Sequence, residues 1–150
     1  QLIVEMIMKK KIITISPSTT IETAALIMQE NRISALPVME GKKLVGIITT
    51  TDVLEVLLRA IGVDEGSGRF IVLVKDRIGV VAEVSRLLKD QQISIQSLVT
   101  WPVKKFPGIY QLIMRVAFED KEKAISVLTD GGFKILTEYI RDLTPYLPNQ

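Results

Sequence analysis

The first part of the chain alternates short apolar runs with stretches in which apolar residues recur at the helical period. Thr19 and Glu22 have the spacing of a capping box, which predicts the start of a helix, and Asn31 can end that helix in the left-handed conformation. The last apolar run is uninterrupted and predicts a buried strand. The predicted order is strand, helix, strand, strand, helix. The strands are placed at 11–15, 33–39 and 44–48, and the helices at 20–31 and 51–61.

The second part of the chain repeats this alternation and adds a strand. The run at 70–74 is wholly apolar, which predicts a central strand covered on both faces. The apolar positions change parity between Ile95 and Leu98, which predicts a β-bulge. Strict alternation over 110–118 predicts a half-buried strand. The order is therefore βαββαβ, the split βαβ pattern. The other strands lie at 93–101 and 133–140, and the helices begin near Val80 and Asp120.

A glycine-rich stretch separates the two parts. Three glycines fall within residues 62–68, which is typical of a flexible linker and makes this stretch a candidate hinge. We therefore predict a first unit over 1–62, a linker over 63–68 and a second unit over 69–144. Two prolines predict an irregular tail over 145–150. The predicted fold class is mixed, α+β or α/β.

Composition excludes several kinds of site. The 19 Lys and Arg residues nearly balance the 17 Asp and Glu residues, which gives no support to binding of nucleic acid or a membrane surface. The chain has no His and no Cys, so it lacks disulfides, Cys or His nucleophiles and the common zinc sites. It also has no glycine-rich phosphate loop and no carboxylate cluster. We therefore expect no enzyme and no cofactor, and the absence of Cys is compatible with a cytoplasmic protein.

One motif is specific enough to suggest a family. Residues 46–52 read Gly-Ile-Ile-Thr-Thr-Thr-Asp, which resembles the Gly-apolar-x-Thr-x-x-Asp signature that closes a CBS motif. Three upstream pieces, at 12–17, 20–24 and 32–38, follow one another in the order and at the separations of that family. The resemblance extends over 4–60, and it implies one CBS motif of the βαββα type.

The resemblance implies an adenosine-nucleotide site, and the chemistry of the residues agrees. A helix that begins after Thr49 presents N–H groups and partial positive charge, which favour phosphate. The Asp52 carboxylate can accept hydrogen bonds from both hydroxyls of a ribose, and the residues around Ala35 can flank an adenine. Alternatively, Thr49 only caps the helix and Asp52 favours its positive end. The candidate ligands are AMP, ADP, ATP and S-adenosylmethionine. The candidate nucleotide-binding residues are Thr14, Ile33, Ser34, Ala35, Pro37, Thr49 and Asp52.

The second unit resembles an ACT domain over 69–142. The βαββαβ order fits, and residues 76–79 are similar to the Asp-Arg-Pro-Gly turn common in that family, with Ile78 in place of proline. The resemblance implies that this turn and the start of the next helix bind a small effector, often an amino acid, at a subunit interface. Alternatively, Gly79 serves the geometry of a tight turn alone. The candidate effector-binding residues are Asp76, Arg77, Ile78, Gly79 and Val80.

The order of the two units has a further implication. A CBS motif followed by an ACT domain is similar to the acetoin-utilisation-type (AcuB-like) bacterial proteins, which carry two CBS motifs. The apolar sheet face of a single motif needs a second one to cover it. We therefore expect either a copy before Gln1, favoured by a chain that does not begin with Met, or two chains that supply one motif each. We expect at least a homodimer.

Two functions follow from these resemblances. The first is a non-catalytic regulatory protein that senses an adenosine nucleotide at the CBS motif and a small metabolite at the ACT domain, with a link to acetoin utilisation. The second is a ligand-free oligomerisation module built from the two sheets. Selective binding of a nucleotide separates the first from the second.

Overall fold

The computed structural model describes residues 2–63 and 66–148. The chain divides into two compact units, 1–57 and 58–150. Each unit combines helices with an antiparallel sheet, which confirms the mixed class that the sequence predicts. In the described ranges, no helix is long and apolar enough to cross a membrane.

The predicted linker over 63–68 overlaps a strand. Ser67 and Gly68 already belong to the first strand of the second unit, because their backbones pair with the end of a neighbouring strand. Residues 64–65 of the linker lie outside the described residues, as do 149–150 of the predicted tail.

The first unit contains two strands rather than three. The strand predicted at 11–15 is not formed, and only Ile15 joins the sheet, through a parallel bridge to Val38. Ile12 and Ile13 are consecutive and both exposed, so this run has no alternating apolar face to pack on a sheet. The elements of the unit are a short 3₁₀ turn (Val4–Met6), α1 (Ile21–Asn31), β1 (Ala35–Glu40), β2 (Lys43–Thr49) and α2 (Thr50–Ala60).

Both ends of α1 lie one residue beyond the predicted positions. Thr20 is the N-cap, and its hydroxyl oxygen accepts a hydrogen bond from the Thr23 N–H at 3.3 Å. Thr19 belongs instead to the preceding turn, where its hydroxyl accepts from the Ser16 N–H at 3.2 Å. At the other end, Arg32 takes the left-handed conformation with φ 53°. The predicted residue, Asn31, stays helical, and its side-chain amide donates to a carbonyl one turn back.

The register of β1 against β2 sorts their residues onto two faces. Leu36 faces Ile48 and is fully buried, in a small core with Met28 and Val53. The prediction that the second strand of this pair is buried is wrong, since Val45 and Ile47 are 44% and 64% exposed. A two-stranded sheet packs only one face on its helices, so the apolar residues on the other face remain uncovered.

The second unit has the predicted βαββαβ order. Its four strands form one antiparallel sheet in the order β4-β5-β3-β6, the ferredoxin-like arrangement. The predicted bulge is confirmed by a register shift between Ile95 and Ser97. The helices cover one face, where Phe70, Leu112 and Leu128 are among the fully buried side chains. The elements are β3 (Ser67–Lys75), α3 (Val80–Asp90), β4 (Ile95–Pro102), β5 (Ile109–Ala117), α4 (Lys121–Asp130) and β6 (Lys134–Leu136).

The chain after β6 covers the other face of this sheet. The last strand, predicted over 133–140, spans only Lys134–Leu136. The residues that follow it leave the edge of the sheet. Ile140, Leu143 and Tyr146 then pack against a cluster centred on the buried side chains of the open face. The segment over 137–148, which we call the C-terminal strap, contains a single 3₁₀ turn.

Candidate ligand sites

A groove of about 430 Å³ lies on the uncovered face of the first unit. It brings together Ile33, Ala35 and Pro37, the three residues that the sequence predicts to flank an adenine. Asn31 and Ile47 also line it. The remaining lining residues come from the segment before the first bridge: Lys9, Lys11, Ile12 and Ile13.

The strand register places Thr49 on the face that carries the groove. Ala35 stands directly opposite Thr49, and Pro37 stands opposite Ile47. Directly opposite residues of an antiparallel pair project to the same side of the sheet. The groove residues and the start of α2 therefore belong to one continuous surface.

Thr49 and Asp52 bind one another at the start of α2. The Thr49 N–H and hydroxyl donate to Asp52 Oδ2 at 2.7 and 2.6 Å, and the Thr49 hydroxyl oxygen accepts from the Asp52 N–H at 3.3 Å. The hydroxyl and the N–H of Thr49, as donors, lower the pKa of the Asp52 carboxyl. This reciprocal pattern is a capping box. The capping box explains why the helix begins here even without a ligand. It is the arrangement expected if Thr49 and Asp52 serve only to start the helix.

The helix start offers few open donors for a phosphate. Within the described residues, the N–H groups of Thr49 and Asp52 have the partners given above, and the Thr50 N–H donates to the Ser34 carbonyl at 2.9 Å. Among the groups that a helix start leaves open, this leaves the Thr51 N–H. An anion on this surface therefore needs other cationic groups, and Lys9 and Lys11 of the groove are the ones in place.

The structure separates the predicted nucleotide residues into two groups. Ile33, Ala35 and Pro37 line the groove. The other predicted residues, Thr14, Ser34, Thr49 and Asp52, do not line it. Lys9 and Lys11 were missed by sequence reasoning because exposed lysines before and at the start of the predicted strand carry no periodic signal. Ile47 was also missed, although its pairing with Pro37 follows from aligning the two strands around their turn.

A second cavity, of about 260 Å³, lies at the turn between β3 and α3. Four of the five predicted effector residues line it, namely Asp76, Arg77, Gly79 and Val80. The fifth, Ile78, is fully exposed and stands outside the lining. Gly79 has φ +89°, and a Cβ there would meet nothing within 4 Å. The glycine is thus required by the left-handed backbone of the turn and not by a close contact.

An ion pair with Glu83 fixes the position of the Arg77 side chain beside this turn. Its guanidinium forms a two-point ion pair with the Glu83 carboxylate, and one of the two hydrogen bonds spans 2.8 Å. The pair lowers the pKa of Glu83 and raises that of Arg77. A ligand carboxylate in the cavity has to compete with Glu83 for this guanidinium.

We expect Glu83→Gln to lower the melting temperature near neutral pH and to have no effect in strong acid. Because folding lowers the pKa of Glu83, the pair stabilises the fold fully above the usual carboxyl pKa of about 4. That contribution is lost as the pH falls through the lower pKa of the folded state. Thermal melts of both proteins across this range test the prediction. Glu122→Gln, at an exposed carboxylate of α4 with no ion pair among the described residues, is the matched control. A difference for Glu83→Gln that persists unchanged in strong acid would contradict the prediction.

Two solved structures are similar to parts of this chain. The structure of a signal-transduction protein with CBS domains from Burkholderia ambifaria is 34% identical, with a TM-score of 0.37, over 37% of this chain and 41% of that one. The structure of the ACT domain of prephenate dehydrogenase from Bacillus anthracis is 27% identical, with a TM-score of 0.37, over 45% of this chain and 99% of that one.

A curated relative and a family model also match parts of the chain. Inosine-5'-monophosphate dehydrogenase of Korarchaeum cryptofilum is 50% identical over 44 residues, which are 29% of this chain and 9% of the dehydrogenase. The chain thus spans less than a tenth of that relative, so the activity in its name is not transferred to this protein. The model of the CBS domain family matches residues 4–59. This segment of the chain is therefore a CBS domain.

Proposed function

We propose that the protein is a regulatory sensor whose CBS domain binds an adenosine nucleotide. The observation that carries the proposal is the groove lined by Ile33, Ala35 and Pro37, which the strand register joins to Thr49 at the start of α2. A nucleoside ligand needs a flat apolar slot with polar groups at one end, and this surface offers both.

Each part of an adenosine nucleotide has a matching group on this surface. The adenine lies against Ala35 and its apolar neighbours, where base and side chains exclude water from one another. The Asp52 carboxylate accepts from the ribose hydroxyls, and its lowered pKa keeps it ionised near neutral pH. The phosphates lie near Lys9 and Lys11. The apolar slot and Asp52 suit AMP, ADP, ATP and S-adenosylmethionine alike. Lys9 and Lys11 favour the three ligands that carry phosphate over S-adenosylmethionine, whose sulfonium is cationic.

The second site is proposed to take a small carboxylate such as an amino acid. The first turn of α3 has no side-chain cap at Gly79, and the Val80 N–H donates to the Arg77 carbonyl at 3.3 Å. The next N–H groups of this turn, beside the cavity at the β3–α3 turn, are proposed to receive the ligand carboxylate. Release of Arg77 from Glu83 then supplies a guanidinium for the carboxylate. This protein regulates a partner only if it has two arrangements of its units and its ligands bind these two arrangements with different affinity.

We further propose a cytoplasmic homodimer in which the uncovered faces of two CBS domains pack on one another. Ile47 on this face and its neighbour Val45 are large, apolar and exposed, and contiguous apolar surface of this kind favours association. A second copy over this face also closes the groove, so assembly and nucleotide binding share one surface. The role is regulatory and not catalytic, and a link to acetoin utilisation is tested by the genes that neighbour its own.

The competing function is an oligomerisation module with empty sites. It is favoured by one observation, the capping box of Thr49 and Asp52, which satisfies both side chains without a ligand. It predicts a dimer whose stability does not respond to nucleotides.

We expect Asp52→Ala to weaken binding of AMP about tenfold or more, because the ribose loses a charged acceptor. The domain should remain folded, since Asp52 is exposed and outside the buried core. Calorimetric titration of AMP into both proteins measures the effect, and Thr51→Ala, at the exposed neighbour on α2, serves as control. An unchanged affinity in Asp52→Ala would remove this carboxylate from the site.

A further inference from the structure

A cavity of about 390 Å³ lies between the open face of the second sheet and the C-terminal strap. Side chains on this face alternate with those that pack on the helices, so the cavity is distinct from the one at the β3–α3 turn. Its volume falls within the range of about 300–1,000 Å³ that is usual for small-molecule sites. The apolar part of its wall is formed by Ile71, Val103, Phe106, Leu136, Ile140 and Leu143.

The polar part of the wall carries an excess of positive charge. Arg69, Lys105 and Arg141 line the cavity together with a single carboxylate, that of Glu138. In the described part of the chain, none of the three cations has a carboxylate oxygen within 4.0 Å. The Lys105 ammonium lies 5.4 Å from the centre of the Phe106 ring, over the apolar wall.

The nearby acidic side chain offsets only part of this charge. The Asp142 carboxylate accepts hydrogen bonds from the N–H and the hydroxyl of Thr144, at 3.0 and 2.7 Å, within the strap itself. These hydrogen bonds, and the positive charge of Lys105, lower the pKa of Asp142. Within the described residues, Arg69 and Arg141 have no carboxylate oxygen within 4.0 Å.

The sheet adds a second, independent sign of an anion site. Arg69 on β3 stands directly opposite Arg115 on β5. Like charges in this position repel one another and destabilise a sheet. Arg115 donates to the Ser67 hydroxyl at 2.8 Å, which orients it, and among the described residues no carboxylate oxygen lies within 4.0 Å of it. An oxyanion beside Arg69 relieves this repulsion.

We propose that this cavity binds a small organic anion, with an apolar body on the wall under the strap and a carboxylate or phosphate head among Arg69, Arg141 and Lys105. Guanidinium groups match the geometry of both head groups through paired hydrogen bonds. The apolar wall selects against inorganic phosphate, which has no body to bury. The strap forms one side of the site, so an occupied cavity holds the strap on the sheet.

The test is a calorimetric titration of the full chain with phenylacetate, phenyl phosphate and the uncharged phenylacetamide. We expect saturable binding of at least one of the two anions, with a Kd of about 1 mM or tighter, and no binding of the amide. Binding of phenylacetate alone assigns a carboxylate ligand, and binding of phenyl phosphate alone assigns a phosphate ester. Failure of both anions to bind, or equal binding of the amide, would overturn the proposal.

Variants that lack positive charges of the cavity wall test where the anion binds. The double variant Arg69→Gln, Arg141→Gln should lower the affinity for the bound anion at least tenfold, whereas Arg86→Gln, on the exposed face of α3, should leave it unchanged. Both substitutions of the double variant are at exposed positions, and a thermal melt checks that the fold is retained. Equal affinity of the double variant and the wild type would place the anion elsewhere and overturn the proposal.

Discussion

Replacing Ala35 with tryptophan is expected to weaken AMP binding by roughly a hundredfold or more, to the limit of detection. Ala35 lines the groove of about 430 Å³ between Ile33 and Pro37. An indole at this position fills the slot that the adenine needs. The neighbouring Leu36 points the opposite way, into the core, so the new ring enters the groove and does not displace buried side chains.

Leu44→Trp provides the matched control for this substitution. Leu44 is 61% exposed on β2 and does not line the groove. Calorimetry with AMP should show wild-type affinity for this control and no measurable heat of binding for Ala35→Trp, while both variants melt as folded proteins. Wild-type affinity in Ala35→Trp would place the nucleotide outside this groove.

Replacing Ile47 with glutamate is expected to convert the homodimer into a monomer. Ile47 is 64% exposed and stands opposite Pro37, on the side of the sheet that carries the groove and lacks cover. In the proposed dimer each copy would bury an unpaired carboxylate at this position, at a cost of about 3–5 kcal/mol. Light scattering should give the mass of one chain, 16.8 kDa, in place of two.

A position on α1 tests whether this face is the interface. Leu26 is 51% exposed and does not line the groove, so Leu26→Glu introduces the same charge away from the proposed contact. It should leave the dimer intact. A dimer that survives Ile47→Glu but dissociates in Leu26→Glu would show that the copies meet through α1, and a monomeric wild type would contradict the assembly altogether.

The sequence predicted the second unit better than the first. The apolar run at 70–74 and the alternation over 110–118 correspond to β3 and β5, because each of these strands pairs along its length within one sheet. The parity change near Ile95 located a bulge correctly. The run at 11–15, with apolar residues at three of its five positions, formed only one bridge. Apolar character alone does not supply a neighbouring strand, and backbone groups pair only where one exists.

The candidate groove contains only part of the residues that the sequence predicts for a nucleotide. Ile33, Ala35 and Pro37, predicted to flank an adenine, lie at alternate positions and line one groove. The contributions of Lys9 and Lys11 depend on the path of an irregular segment, which no periodicity encodes. The C-terminal strap was missed for the same reason, since its packing on the sheet is set by the fold and not by a local pattern.

Nucleotide binding by the CBS domain is tested most directly by a thermal-shift panel on the wild-type chain with AMP, ADP, ATP and S-adenosylmethionine. A ligand that binds only the folded state stabilises it by about 2.7 kcal/mol at 100 times its Kd, which a melting curve detects readily. We predict a selective rise in melting temperature with at least one phosphate-bearing nucleotide, and no rise for the same ligand in Ala35→Trp. A wild-type dimer whose melting temperature is unchanged by all four ligands would contradict the proposed sensor function and favour the oligomerisation module.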